Sequence, residues 1–297
     1  MTQIEFQGLR SAEVVRIQQL PGLPGVDFWS VANSERRWAM IHETFTACFV
    51  MGPRGAPRGR WCSRGKERIV SAGCMQLMEP GEAHRTTAVA EPASFFVTWW
   101  RPEVLQQAAL EVGISGQIHW KSAQLDPGAL SQRFADLAQQ LSQGAEPLAC
   151  QVAYAEATSE LLRAATDSTS NREPSGRFHP GVRRAIEHLR AHFRETVSLE
   201  DLAKEARLTK FHFSRCFREA TGFPPHQYQK LLRVHEARRL LEQGCSVEEA
   251  SATAGFADAP HLTRAFREWL GVPPGAWARA RRPIRSYSHR LPERSVG

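Results

Sequence analysis

Six side chains in the C-terminal third of the sequence carry groups suited to gripping a polyanion. Lys210, Arg215 and Arg218 offer ammonium and guanidinium donors, with the Ser214 hydroxyl among them, and Arg264 and Arg267 repeat the two arginines 49 positions on. A guanidinium is a planar fork of donors that matches phosphate oxygens or the edge of a base. This is recognition chemistry, and it needs a scaffold that presents the donors on one side. The apolar residues around them supply it: Phe213 and Phe217, like Leu262 and Phe266, recur at i and i+4, the spacing of a buried helix face. The cationic positions lie off that stripe.

These residues belong to a longer internal repeat. Phe217-Arg-Glu-Ala-Thr-Gly-Phe-Pro-Pro-His-Gln-Tyr228 returns as Phe266-Arg-Glu-Trp-Leu-Gly-Val-Pro-Pro-Gly-Ala-Trp277, at an offset of 49. Upstream, Ser198-Leu-Glu-Asp201 returns as Ser246-Val-Glu-Glu249 at an offset of 48, so one residue is inserted at the second turn. Ser198 and Ser246 read as N-caps with an acid three residues on. Short helices follow over Leu199–Ala206 and Val247–Ala254. Thr209 and Asp258 then cap second helices that end at Gly222 and Gly271, residues free to take the left-handed conformation a helix terminus favours. Helix, tight turn, helix is the plan whose second helix enters the DNA major groove. One long helix, His226–Gln243, is expected to join the copies.

Charge supports the same reading. Residues 1–177 hold 17 Lys+Arg against 18 Asp+Glu, whereas residues 178–297 hold 21 against 13, so the whole net charge of +7 comes from the second part. A basic half joined to a neutral one suits double-stranded DNA as partner. The bland alternatives are a solvated basic surface and a plain helical bundle. Neither requires matched caps, arginines and Gly-x-Pro-Pro ends in both copies.

The first hundred residues read instead as short strands and turns: Trp38–Ile41, Thr44–Met51, Arg60–Ser63, Arg68–Ser71, Cys74–Met78 and Ser94–Trp100. From Pro102 the pattern becomes helical, with further helices expected over Ala129–Ser142 and Leu148–Thr166. In the last, Val152, Ala155, Leu161 and Leu162 are expected to form the apolar stripe. The stretch Asp167–Arg177 has no apolar residue and reads as a linker. The expected fold class is therefore α+β: an N-terminal β-barrel with flanking helices and a C-terminal all-α domain with two helix-turn-helix motifs. The boundaries are 1–166 for the first domain, 167–179 for the linker, 180–282 for the DNA-binding domain and 283–297 for a tail.

Several classes are disfavoured. No apolar run reaches the roughly 18 residues that span a bilayer, and no secretory signal opens the chain, so the cytoplasm is the expected compartment. None of the six cysteines pair at C-x-x-C spacing, which argues for reduced thiols and against a zinc site. The first domain holds only His42, His84 and His119, without a His-x-His pair, so a metal-dependent enzyme built on it is not expected. No catalytic residue, metal or cofactor is assigned.

Residues 180–282 resemble the two-motif DNA-binding domain of the AraC/XylS family. The second copy, from Gly255-Phe256 through Leu262-Thr-Arg264-Ala-Phe266-Arg267 to Gly271-Val-Pro-Pro274, carries the resemblance most closely. It implies base- and backbone-facing roles for Phe211, Ser214 and Arg215 in the first recognition helix, and for Ala259, Pro260, His261 and Arg264 in the second. Lys210, Arg218 and Arg267 complete the expected DNA-binding set. Two departures stand out. Ala250-Ser251 replaces the usual Ile-Ala, so that helix is expected to pack less tightly. Ala259 and Pro260 offer few donors, so the second motif is expected to read less sequence than the first.

The segment Met78-Glu-Pro-Gly-Glu-Ala-His84, within Arg60–Pro102, resembles more loosely a turn of the cupin-like sensor barrel of arabinose-type regulators. That likeness implies a small-molecule effector inside the barrel. Trp99 falls where such sensors stack a sugar, and Arg37, Trp38, His84 and Trp99 are the candidate effector-binding residues. A homodimer is expected, and RNA polymerase is a candidate partner. Competing readings are a DNA-binding regulator whose barrel serves only dimerisation, and a cupin enzyme fused to a regulatory domain.

Overall fold

The computed structural model describes residues 2–7, 13–166 and 179–281. The linker expected at 167–179 (apart from His179), Arg282 and the tail at 283–297 lie outside them.

The N-terminal half is built from two antiparallel sheets. In chain order the strands are β1 Thr2–Gln7, β2 Val14–Gln19, β3 Val26–Ser34, β4 Ala39–Ile41, β5 Phe45–Met51, β6 Pro57–Ser63, β7 Lys66–Ser71, β8 Met75–Met78, β9 Ala83–Val89, β10 Ala93–Trp100 and, after a helix, β11 Gln124–Leu125. Seven strands pair in the order β1-β2-β3-β10-β5-β8-β11, and four in the order β4-β9-β6-β7. Alternation along β10 divides its side chains between two cores. Phe96 and Trp100 join Phe28, Phe45 and Met75 in a core with the helices α1 Pro102–Glu111, α2 Ala129–Ser142 and α3 Pro147–Ala165. Val97 and Trp99 face the opposite way, toward the second sheet and the C-terminal half.

The helical pattern from Pro102 holds, with Pro102 in the first turn of α1. The stripe on α3 differs from expectation. Its buried residues are Cys150, Tyr154, Ala157, Thr158, Leu161, Leu162 and Ala165, so Leu161 and Leu162 face the core as expected, while Ala155 is exposed and Val152 is 52% exposed. Position 152 is out of phase with Leu161 on a period of 3.6, so only one of the two can face the core.

The C-terminal half is helical: α4 Pro180–His192, α5 Leu199–Ala206, α6 Lys210–Thr221, α7 Pro225–Glu242, α8 Val247–Thr253, α9 Ala259–Leu270 and α10 Pro274–Arg281. The joining helix α7 begins and ends one residue earlier than expected and, with 18 residues, is about 27 Å long. Phe213, Phe217, Tyr228, Leu231, Leu262, Phe266 and Trp277 form its core.

A polar linker suggests few contacts across it, yet the two halves pack into one apolar cluster that holds Trp29, Trp38 and Trp99 together with the helical core. The Arg190 guanidinium donates to the Gly81 carbonyl (2.8 Å), and His235 lies 3.3 Å from the Glu43 carboxylate. Linker composition reports on the linker alone; the facing surfaces are apolar residues scattered through the sequence.

Candidate functional site

The first helix-turn-helix unit is α5 and α6. The Ser198 hydroxyl accepts from the Asp201 amide (3.1 Å) and donates to its carboxylate (2.5 Å), which holds that carboxyl below the usual range. Arg207 turns the chain in the left-handed region at φ 55°. Thr209 then accepts from the His212 amide (3.3 Å) and starts α6. Burial of Phe213, Phe217 and Ala220 fixes the rotation of α6. What remains outward is Lys210, Phe211, Arg215 and Arg218, with Ser214 half-buried beside them. Phe211 is 90% exposed, an aromatic face with no packing role in the fold.

The second unit is α8 and α9. Ser246 and Glu249 close a reciprocal capping box at 3.1 and 2.8 Å. The inserted residue appears in the turn: Gly255, at φ 83°, follows the helix, and a Cβ there would sit 2.5 Å from the Arg194 carbonyl oxygen. Asp258 accepts from the His261 amide (2.6 Å) to start α9. Leu262, Ala265, Phe266 and Trp269 are buried, leaving Pro260, Arg264 and Arg267 exposed and Ala259 and His261 half-buried. The His261 ring stands edge-on to Phe256, 5.2 Å between centroids. In α8, Ala250 and Ser251 are buried and the Ser251 hydroxyl has no hydrogen-bond partner, a poorer filling than a larger apolar side chain gives. Glu249 accepts from the backbone and hydroxyl of Ser246, which lowers its carboxyl.

The cations of the two recognition helices are free to move onto a ligand. Lys210 and Arg215 have carboxylate neighbours, Glu200 at 3.7 Å and Glu219 at 3.8 Å, but both pairs are more than half exposed. Such pairs hold a side chain weakly. The arrangement therefore presents two exposed, donor-bearing helix faces on a fixed frame.

A second candidate site lies between the sheets, a cavity of about 100 Å³. Trp38, His84 and Trp99 line it; Arg37 does not. Arg37 is exposed, and its neighbour Arg36 lines the cavity instead, tied to Glu13 at 2.6 Å. Adjacent residues on an extended chain face opposite sides, so the choice between them needed the register. Trp29 and His42 also line the cavity. Neither is among the candidates read from the sequence; the β-prone run Val26-Asp-Phe-Trp-Ser-Val31 of β3 is the signal that points to Trp29, whereas a lone His42 carries none. The His42 and His84 rings stack 5.1 Å apart. Burial pushes His42 well below its ordinary value, helped by His84 and Arg238, and lowers His84 to about 4. Both rings are neutral at pH 7. Among the described residues no cluster of three His, Cys, Asp or Glu is placed to hold a metal, and no helix is long and apolar enough to cross a membrane.

Two capped helix pairs on one helical frame, carried by a sheet domain with an internal cavity, define a DNA-binding protein of the double helix-turn-helix class. Residues 202–280 match the family described as a helix-turn-helix domain, and residues 58–157 match the AraC-like ligand binding domain. The chain belongs to the AraC family of transcriptional regulators, with a DNA-binding helix-turn-helix part and an N-terminal ligand-binding domain. It is 27% identical over 202 residues to the uncharacterized HTH-type transcriptional regulator YbfI of Bacillus subtilis, covering 66% of this chain and 72% of that one. It is 36% identical over 90 residues to the HTH-type transcriptional activator RhaS of Escherichia fergusonii, 30% of this chain and 32% of the relative. Among solved structures, the DNA-binding domain of AdpA in complex with a target DNA is 35% identical, with a TM-score of 0.33 over 35% of this chain and 97% of that one. An apo form of ToxT from Vibrio cholerae, carrying one substitution, is 11% identical, with a TM-score of 0.47 over 92% of this chain and 99% of that one.

Proposed function

We propose that this regulator binds specific duplex DNA through both helix-turn-helix units and that a small molecule held between the sheets of the N-terminal half modulates it. The observation that carries the first part is the duplication itself: two cap-matched recognition helices with exposed arginines on one rigid joining helix. In this reading Arg215 and Ser214 read bases in the first groove, with Phe211 packing beside them. Lys210, Arg218 and Arg267 hold phosphates, and Ala259, Pro260, His261 and Arg264 face the second groove, where few donors leave shape and phosphate contacts to set the fit. The ligand domain is 1–166, the linker 167–179, the DNA-binding domain 180–282 and the tail 283–297. Trp38, His84 and Trp99 contact the effector, with Arg36 in place of Arg37.

The protein acts in the cytoplasm as a homodimer, with RNA polymerase as a further partner. Leu148 (69% exposed) and Val152 (52% exposed), one turn apart on α3, support a subunit contact there. The second reading is a regulator that uses its sheet domain only to dimerise. Buried cavity donors without partners favour an effector over that reading. A footprint of the purified protein on the DNA upstream of its own gene, with and without candidate metabolites, tests both parts. Two protected major-groove faces about 34 Å apart on one side of the duplex are expected. Protection of one groove alone overturns the two-unit reading, and a footprint that no metabolite alters favours the second reading.

A further inference from the structure

The cavity and the interface between the two halves share a wall. Trp29 and Trp99 both line the cavity, their ring centroids 4.3 Å apart. Both also meet the helical half. Trp29 lies 5.1 Å from Trp277 of α10. The Arg238 guanidinium of α7 sits 5.5 Å from the Trp99 ring and 6.0 Å from Trp277. Trp277 packs edge-on against Phe266, 6.0 Å away, in the buried face of the second recognition helix α9. Each of these side chains is nine-tenths or more buried. One packed set therefore runs from the lining of the cavity to the core of the second helix-turn-helix unit.

The polar atoms of the cavity wall define what fills it. Nε1 of Trp29, Nε1 of Trp99, Nε2 of His42 and Nδ1 of His84 are buried and have no hydrogen-bond partner. An indole N–H only donates. No Asp or Glu lines the cavity. The three arginines that do, Arg36, Arg58 and Arg60, are each paired with a glutamate, Glu13, Glu91 and Glu67. A polyol would have to place every hydroxyl hydrogen on the neutral imidazoles, on Ser34, Thr46, Gln76 and Thr86, or on backbone carbonyls, whereas an acceptor oxygen needs only the open N–H groups. A flat apolar body bearing acceptor oxygens matches both the aromatic wall and the waiting N–H groups. The volume of about 100 Å³ suits a body of roughly one ring.

The geometry points to a small planar molecule bearing a carbonyl or carboxylate oxygen as the occupant of this cavity, and to the Trp29–Trp99 pair as the element that relays its presence to the second helix-turn-helix unit. This rests on the reading of the cavity as an effector site. An oxygen that takes the indole N–H groups sets the tilt of the two rings. Close-packed neighbours do not absorb such a tilt continuously, so the seat of Trp277 and Arg238 changes with it. Among the described residues, Arg238 is otherwise tethered only along its own helix, to His235 at 2.9 Å and Glu242 at 3.8 Å.

The test uses the full-length chain with benzoate, benzamide and xylose as probes, calorimetry for binding, and hydrogen exchange of the amides in α9 and α10. Benzoate or benzamide is expected to bind and xylose is not, and the bound probe is expected to change exchange in α9 and α10. In Arg238→Gln the probe still binds and the exchange response is lost. Trp99→Phe keeps a ring in place but removes a donor, and is expected to weaken probe binding while the chain stays folded by circular dichroism. Probe binding with unchanged exchange in wild type, or an undiminished response in Arg238→Gln, overturns the relay and leaves the effector site standing. Binding of xylose in preference to the planar probes overturns the ligand class. Binding of none of the three overturns the effector reading beneath both.

Discussion

Replacing Arg215 with alanine separates its structural role from its role on DNA. In the free protein Arg215 is 71% exposed, and the carboxylate it pairs with, Glu219, is 3.8 Å away and 68% exposed. An i,i+4 pair so open to solvent contributes roughly 0.3–0.5 kcal/mol, so folding stability should barely change. On DNA the same guanidinium, if bidentate to a guanine, supplies about 1–3 kcal/mol of discrimination. That corresponds to a loss of about 5- to 150-fold in affinity for the footprinted site. A scrambled duplex loses only the phosphate share. Fluorescence anisotropy at fixed salt on both duplexes gives the two numbers, with Arg54→Ala as control; Arg54 is exposed in the turn between β5 and β6, far in sequence from the recognition helices. Unchanged affinity of Arg215→Ala for the footprinted site would falsify the assignment. Equal losses on both duplexes would move Arg215 from base reading to phosphate holding.

Six exposed cations lie on or beside the recognition helices, Lys210, Arg215, Arg218, Arg264, Arg267 and Arg279. If all reach phosphates or counterion-bearing grooves, log K against log salt falls with a slope of about −5 per bound domain; a slope near half of that means that one unit alone engages. Gly255→Ala forces a side chain into the left-handed region and against the Arg194 carbonyl, and should lower unfolding stability by more than about 1–2 kcal/mol; an unchanged urea midpoint rejects this account of the turn. His42 and His84 are depressed in the folded protein, while the unfolded chain protonates near 6.5. Their contribution to stability is therefore fully present above pH 6.5 and is lost as pH falls below it, for His84 through about 4. A thermal midpoint that stays level between those limits in wild type, or that falls as steeply in His84→Gln, contradicts the buried neutral pair.

The helical half was legible in the sequence because its signals are local. A cap, an i,i+4 stripe and a terminal glycine act within one or two turns, and Ser198, Thr209, Ser246, Asp258, Gly222 and Gly271 all stand where those local rules put them. The repeat doubled each signal. Short β-prone runs likewise marked most of the central strands. What the sequence left open depends on which distant surfaces meet. Whether Arg36 or Arg37 enters the cavity turns on strand register, and whether Val152 or Tyr154 faces the core turns on the rotation of α3. That Trp29, Trp99, Arg238 and Trp277 come together is written in no single stretch, because they lie on two strands of a sheet and two helices up to 248 residues apart in the chain. Burial of apolar surface is not directional along the sequence; only the packed tertiary structure decides which aromatic faces share a wall.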